Sequence, residues 1–112
     1  MPTAFASEAG HIRDTGNLSV KDIAQATGAT DMTVRAWLRG SRSPSGRYAE
    51  RLAELSAIVE RLVQVMDPSY VPVWMRKPIA LLDDDTPLNV IAAGGYGRVS
   101  PAIAGLESTG AI

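Results

Sequence analysis

Apolar positions recur at helical spacing along the first two thirds of this chain, and prolines break that spacing in the last third. Val20, Ile23 and Ala24 mark one side of a short helix; Val34, Trp37 and Leu38 mark another at i, i+3, i+4. Ser19 and Asp22 stand in an S-x-x-D arrangement, in which a hydroxyl and an acid satisfy free backbone N–H groups at a helix start. Gly28 follows the last turn, where the backbone must go left-handed and glycine does so at least cost. Thr30 restarts the chain as a second N-cap, and Gly40 closes the second helix. Ser19–Gly40 therefore predicts two short helices around a tight turn, the outline of a helix-turn-helix. An ordinary αα-hairpin inside a helical domain has the same outline.

Upstream, Ala4, Phe5, Ala9 and Ile12 fit one face of a short helix that packs on this unit. Downstream, SRSPSG at 41–46 is a turn-rich connector in which Pro44 drives Ser43 out of the α region. A long helix is expected from Gly46 to Met66. Its seam is Tyr48, Leu52, Leu55, Val59, Leu62 and Met66, at spacings of 4, 3, 4, 3 and 4. Ile58, Val63 and Val65 widen the apolar surface beyond that seam. Either the C-terminal segment covers this extra face, or a second copy or a partner does.

Asp67-Pro68 stops the long helix, and Pro68, Pro72, Pro78 and Pro87 exclude long helices from 67 to 87. Short ones fit at about 71–76, 80–82, 88–93 and 100–106. Thr86-Pro87 and Ser100-Pro101 have the form of an N-cap followed by proline at the first helical position. Gly94, Gly95 and Gly97 make a bend around Tyr96. The expected fold class is all-α. Residues 1–66 carry the helix-turn-helix and the linking helix, and residues 67–112 form a small helical C-terminal domain.

Charge changes the picture by being segregated. The net charge is −1, so the chain as a whole is not a basic polyanion binder. Residues 35–51, however, carry Arg35, Arg39, Arg42, Arg47 and Arg51 against Glu50, for +4. Residues 78–112 carry Asp83, Asp84, Asp85 and Glu107 against Arg98, for −3. The arginine cluster follows the turn and suits a phosphate backbone. On the second helix Thr30, Asp31, Met32 and Thr33, then Arg35, Ala36 and Arg39, are expected to face outward. N-terminal residues of such a helix reach base edges while flanking arginines hold phosphates. Arg35 is the best candidate for a bidentate guanine contact, and Arg42 joins the DNA-facing set. Asp31 and Met32 are poor base readers. One copy seldom binds tightly, so two-fold pairing is expected.

Other chemistry is poorly provided for. There is no cysteine, hence no disulfide, thiolate metal site or thiol nucleophile, in keeping with a reducing cytoplasm. No apolar run is long enough for a membrane span, and the N-terminus has no secretory pattern. His11 is the single histidine, a poor basis for a metal site or a catalytic triad. The run Asp83–Asp85 lacks the spacing and distal Glu of a cation loop, and reads as a solvated loop before a helix start. Gly94-Gly95-Tyr96-Gly97 has no GK[ST] and no preceding strand, so it is no nucleotide loop. Neither an enzyme nor a cofactor is expected.

Between Val73 and Val99 the chain resembles a known family. Trp74, Pro78, Leu81-Leu82, Thr86-Pro87-Leu88, Val90-Ile91, Gly94, Tyr96, Arg98-Val99 and Ile103 are similar to the C-terminal domain of Xre–MbcA–ParS antitoxins. Those antitoxins also begin with a helix-turn-helix, so the resemblance covers most of the chain. It implies a mainly helical antitoxin that neutralises a RES-type toxin, an enzyme that destroys NAD. It further implies that the C-terminal domain holds the toxin, that the extreme C-terminus enters the toxin's active-site cleft, and that the N-terminal domain binds the operon promoter.

Carried onto this chain, the toxin-facing set is Trp74, Tyr96, Arg98, Val99 and the tail Ser108, Thr109, Gly110, Ala111 and Ile112, with at least one of Trp74 and Tyr96 in the core. Two features depart from the family pattern. Gly95 and Gly97 flank Tyr96 where members carry G-[DE]-Y-x-R-V, and Ser100-Pro101 interrupts the expected terminal helix. The tail's small residues, Ile112 and the free carboxylate are compatible with threading a narrow cleft; a disordered terminus is the plainer alternative. The expected function is a cytoplasmic type II antitoxin that blocks such a toxin and represses its own operon. The alternative is a stand-alone regulator whose C-terminal domain only dimerises.

Overall fold

The computed structural model describes residues 4–109, with side chains from Glu8 onward. Seven α-helices are found among them: α1 Ala4–Gly16, α2 Val20–Thr27, α3 Asp31–Arg39, α4 Gly46–Leu62, α5 Val71–Met75, α6 Pro87–Ala92 and α7 Tyr96–Ser108. Two 3-10 turns, Pro68–Tyr70 and Ala80–Leu82, lie among the proline-rich connections. One isolated bridge pairs Ile79 with Asp85, and no strand occurs among the described residues. The fold is all-α.

The expected punctuation governs the first half. Ser19 Oγ accepts the Asp22 N–H at 3.1 Å and Asp22 Oδ2 accepts the Ser19 N–H at 3.0 Å, a closed capping box on α2. Gly28 takes φ +80°, and its N–H reaches the Ala24 carbonyl at 2.9 Å. Thr30 Oγ1 accepts the Thr33 N–H at 3.1 Å to open α3. In α1, Ala9 and Ile12 are buried as the spacing predicts. The side chains of Ala4 and Phe5 lie outside the described residues.

α4 is the axis of the core. Leu52, Leu55, Ile58, Val59 and Leu62 have no exposed surface. Ala9, Ile12, Leu18, Ile23, Val34 and Trp37 meet them from the N-terminal helices. Val71, Met75, Leu82, Leu88, Ile91, Val99 and Ile103 meet them from the C-terminal segment, in one continuous cluster. The extra apolar face is covered from within at Ile58 and Val63, while Val65 stays half-buried outside the core cluster. Ile58 is fully buried, and Val63 and Met66 pack partly against the core. Tyr48 differs from the expected seam: it is 42% exposed and leans on Trp37, with ring centroids 5.8 Å apart.

α4 stops at Leu62, one turn before the expected Met66. Pro68 holds Asp67 in an extended backbone, ψ 135°. The chain unwinds toward it through turns in which Gln64 N–H bonds the Arg61 carbonyl and Val65 N–H that of Leu62.

α7 is the larger correction. Ser100-Pro101 is no helix start; α7 begins at Tyr96 and carries Pro101 inside it. Val99 and Ile103, four residues apart, are both fully buried, and the helix running through Pro101 places them on one face. That burial outweighs the one backbone bond the proline cannot make. The Ser100 hydroxyl, expected as a cap, instead accepts from Arg61 Nη1 at 2.7 Å.

Candidate functional site

Two exposed regions carry the residues that sequence reasoning singled out. The first is α3. Val34 and Trp37 anchor it, and it packs mainly against α1 and α2. Arg35, Arg39 and Arg42 are exposed along it and just after it, as are Thr30 and Met32. Thr30 and Thr33 are tied up in the cap, their hydroxyls 3.0 Å apart. Asp31 is half-buried and lies 3.7 Å from Lys21 Nζ, which offsets its charge toward an approaching phosphate. Lys21, which the sequence did not single out, thereby adds a cation beside the α3 N-terminus; its only sequence signal was a position in the first turn of α2.

Two residues of this region sit elsewhere than expected. Ala36 is buried at 5% exposure, and its carbonyl accepts from the N–H and hydroxyl of Ser41. Arg51 leaves the arginine cluster. Its side chain is 13% exposed, its Nη1 lies 3.2 Å from Glu54 and 3.5 Å from Glu50, and its tip lies under Gly94. Arg47 stays exposed and lines a cleft of about 410 Å³ with Thr27, Gly28, Ser45, Tyr48 and Ala92.

The second region is the outer side of the C-terminal segment. Val99 is fully buried and Trp74 only 6% exposed, so both belong to the core and shape the surface from beneath. Tyr96 is half-buried against that core. Arg98 is exposed and pairs with Asp83 at 3.1 Å. Ser108 and Thr109 are exposed at the end of α7. Gly110, Ala111 and Ile112 lie outside the described residues.

α7 packs against α4, α6 and the Ala80–Leu82 turn. Arg61 of α4 clamps its last turn: Nε and Nη2 donate to the two Glu107 oxygens at 3.1 and 2.6 Å. Hydrogen bonds from Arg61 hold the Glu107 carboxyl below its ordinary pKa.

The bend before α7 is sterically tight. A Cβ on Gly95 would stand 2.6 Å from Val90 Cγ1 and 2.9 Å from the Val90 carbonyl oxygen, whereas one on Gly97 would meet open space. Glycine at 95 is thus a packing requirement of the α6–α7 corner. Asp83 and Asp84 adopt left-handed φ of 57° and 64° in the preceding turn. Asp85 Oδ1 accepts the Thr86 N–H at 2.8 Å, beside the start of α6. No group of three metal-ligating side chains occurs among the described residues, and no described helix is long and apolar enough to cross a membrane.

Known proteins resemble this chain in sequence and in fold. A helix-turn-helix family model matches residues 11–55. Mycobacterial cidal antitoxin MbcA of Mycobacterium tuberculosis is 28% identical over 82 residues, 73% of each chain. The protein of that name from Mycobacterium bovis matches with the same figures. Probable mycobacterial cidal antitoxin Rv3188 of M. tuberculosis is 33% identical over 81 residues, covering 72% of this chain and 69% of that one. In the crystal structure of the M. tuberculosis MbcT–MbcA toxin–antitoxin complex, one chain matches this fold with a TM-score of 0.84. The match covers 96% of this chain and 97% of that chain at 24% identity. With a helix-turn-helix at its front, and sequence shared with these relatives over most of its length, the chain belongs to the mycobacterial cidal antitoxin (MbcA) family.

Proposed function

We propose that this chain is the antitoxin of a type II toxin–antitoxin pair. It binds a RES-type, NAD-degrading toxin through residues 67–112 and covers the toxin's active site with the tail Ser108–Ile112. Through residues 1–66 it binds its own promoter, as a two-fold pair within the toxin–antitoxin complex in the cytoplasm. Tyr96 and Arg98 contribute to the toxin-facing surface, which Trp74 and Val99 support from the core. Arg39 and Arg42 hold phosphates, and Arg35 makes the bidentate guanine contact.

The observation that carries this reading is the separate seating of the two exposed regions. α3 rests mainly on α1 and α2, and α7 rests on α4 and α6. A polyanion at the first and a protein at the second would not compete for the same surface. Family membership supports the antitoxin role, and the exposed arginine edge supports the promoter role.

The test is co-expression with a RES-type toxin. The full chain is expected to restore growth and cellular NAD. A chain lacking Ser108–Ile112 is expected to lose that protection while still retarding the promoter fragment. Undiminished toxicity beside the full chain would reject the antitoxin reading, and full protection by the truncated chain would reject the tail as the covering element.

A further inference from the structure

We propose that Met32, a poor base reader by hydrogen bonding, reads thymine by apolar contact: its side chain packs on the C5-methyl groups of thymine bases in the major groove. The inference rests on α3 being the DNA-facing helix, and it adds which base that helix selects.

Met32 is 77% exposed, the most exposed large apolar side chain among the described residues. It occupies the second position of α3, behind the N-cap Thr30. With 3.6 residues per turn, Met32, Arg35 and Arg39 fall within an arc of roughly 60° on the helix surface. Both arginines are exposed. The arc therefore offers an apolar tip beside two cations. The cations fit a polyanion, and the apolar group that a polyanionic duplex displays on its major-groove base edges is the thymine methyl. Methionine is unbranched and polarizable, and moulds to such a group.

The neighbouring polar side chains are otherwise engaged. Thr30 and Thr33 hydrogen-bond each other and the helix start. Asp31 lies against Lys21. Met32 and Arg35 are then the two residues in the first half of α3 whose side chains project without such an engagement.

The experiment is a footprint of the full chain on the DNA immediately upstream of its reading frame. It is repeated on the same fragment with footprinted thymines replaced singly by uracil, which lacks the methyl. The native chain is expected to lose about four-fold in affinity at each contacted thymine, the worth of one buried methyl group. Met32→Ala is expected to bind the thymine and uracil fragments equally, at the native chain's uracil level. Arg35→Ala is expected to weaken both fragments alike. Equal native affinity for both fragments, with the footprint intact, would overturn the thymine contact and leave α3 as the DNA-facing helix. Undiminished discrimination by Met32→Ala would overturn it as well. Absence of any footprint would overturn the contact together with the DNA-facing role of α3.

Discussion

Asp22 and Arg76, 54 residues apart, join the first helix of the helix-turn-helix to the end of α5 by two parallel hydrogen bonds. Arg76 Nε donates to Oδ1 at 2.8 Å and Nη2 to Oδ2 at 2.5 Å. The same carboxylate closes the α2 capping box. A few residues away, Gln25 of α2 donates to Asn89 of α6 at 2.7 Å. One buried acid thus caps a helix locally and pins the C-terminal segment to it.

Removing that acid is expected to cost more than removing its partner. The Asp22 side chain is 6% exposed and that of Arg76 is 52% exposed. Asp22→Ala should destabilise the chain by about 2–3 kcal/mol, because it removes the acid arm of the capping box and the bridge to α5 together. Arg76→Ala should cost about 1–2 kcal/mol, because it leaves the buried carboxylate without its cation while Ser19 still donates to it. Burial alone would raise the Asp22 carboxyl pKa, but hydrogen bonds from Arg76 and Ser19 outweigh burial and lower it. A lowered acid contributes stability above its unfolded pKa and loses it as pH falls through the folded value. Urea midpoints followed downward from neutral pH should therefore fall below about pH 4, and Asp22→Asn should flatten that fall. An unchanged acid limb in Asp22→Asn would contradict this account.

The arginines divide by direction rather than by sequence neighbourhood. Arg35→Ala and Arg39→Ala should each weaken promoter binding and flatten its salt slope. Arg51→Ala should leave the salt slope unchanged and lower thermal stability instead, since its side chain is turned inward between Glu54 and Gly94. Titrations at several salt concentrations, beside thermal melts, separate the two classes. A reduced slope for Arg51→Ala would place that residue on the DNA side.

The two glycines around Tyr96 should respond in opposite senses. Gly95→Ala forces a Cβ into Val90 and is expected to cost about 1–3 kcal/mol, as overpacking does. Gly97→Ala meets open space inside α7 and should be neutral or stabilising by up to about 1 kcal/mol. The acid that the family pattern carries before this tyrosine would meet the same obstacle at 95. Chemical denaturation of the two variants decides the matter; equal stabilities would show that the corner relaxes freely.

Arg61 is expected to control how firmly the last helix is seated. Arg61→Ala removes both bonds to Glu107 and both bonds to Ser100. Amides from Val99 to Ser108 should then exchange hydrogen faster, while those of α2 and α3 keep their protection. Uniform loss of protection would mean that the clamp stabilises the whole core rather than α7.

Local chemistry determined the first half of this protein. Ser19, Asp22, Gly28, Thr30 and Gly40 act through hydrogen bonds and backbone angles spanning a few residues, so α2 and α3 were legible from their spelling. The shared W…P…LL…TPL…G-x-Y order likewise carries the family resemblance in the sequence itself. What the tertiary structure decided were long-range matters. Arg51 turns inward because acids and a glycine corner meet it there, and Asp22 finds Arg76 across 54 residues. α7 runs through Pro101 because Val99 and Ile103 both need the core. Capping energies are settled within one turn of chain, whereas burial and ion pairing depend on which distant segment arrives. Only the folded chain holds that second kind of information.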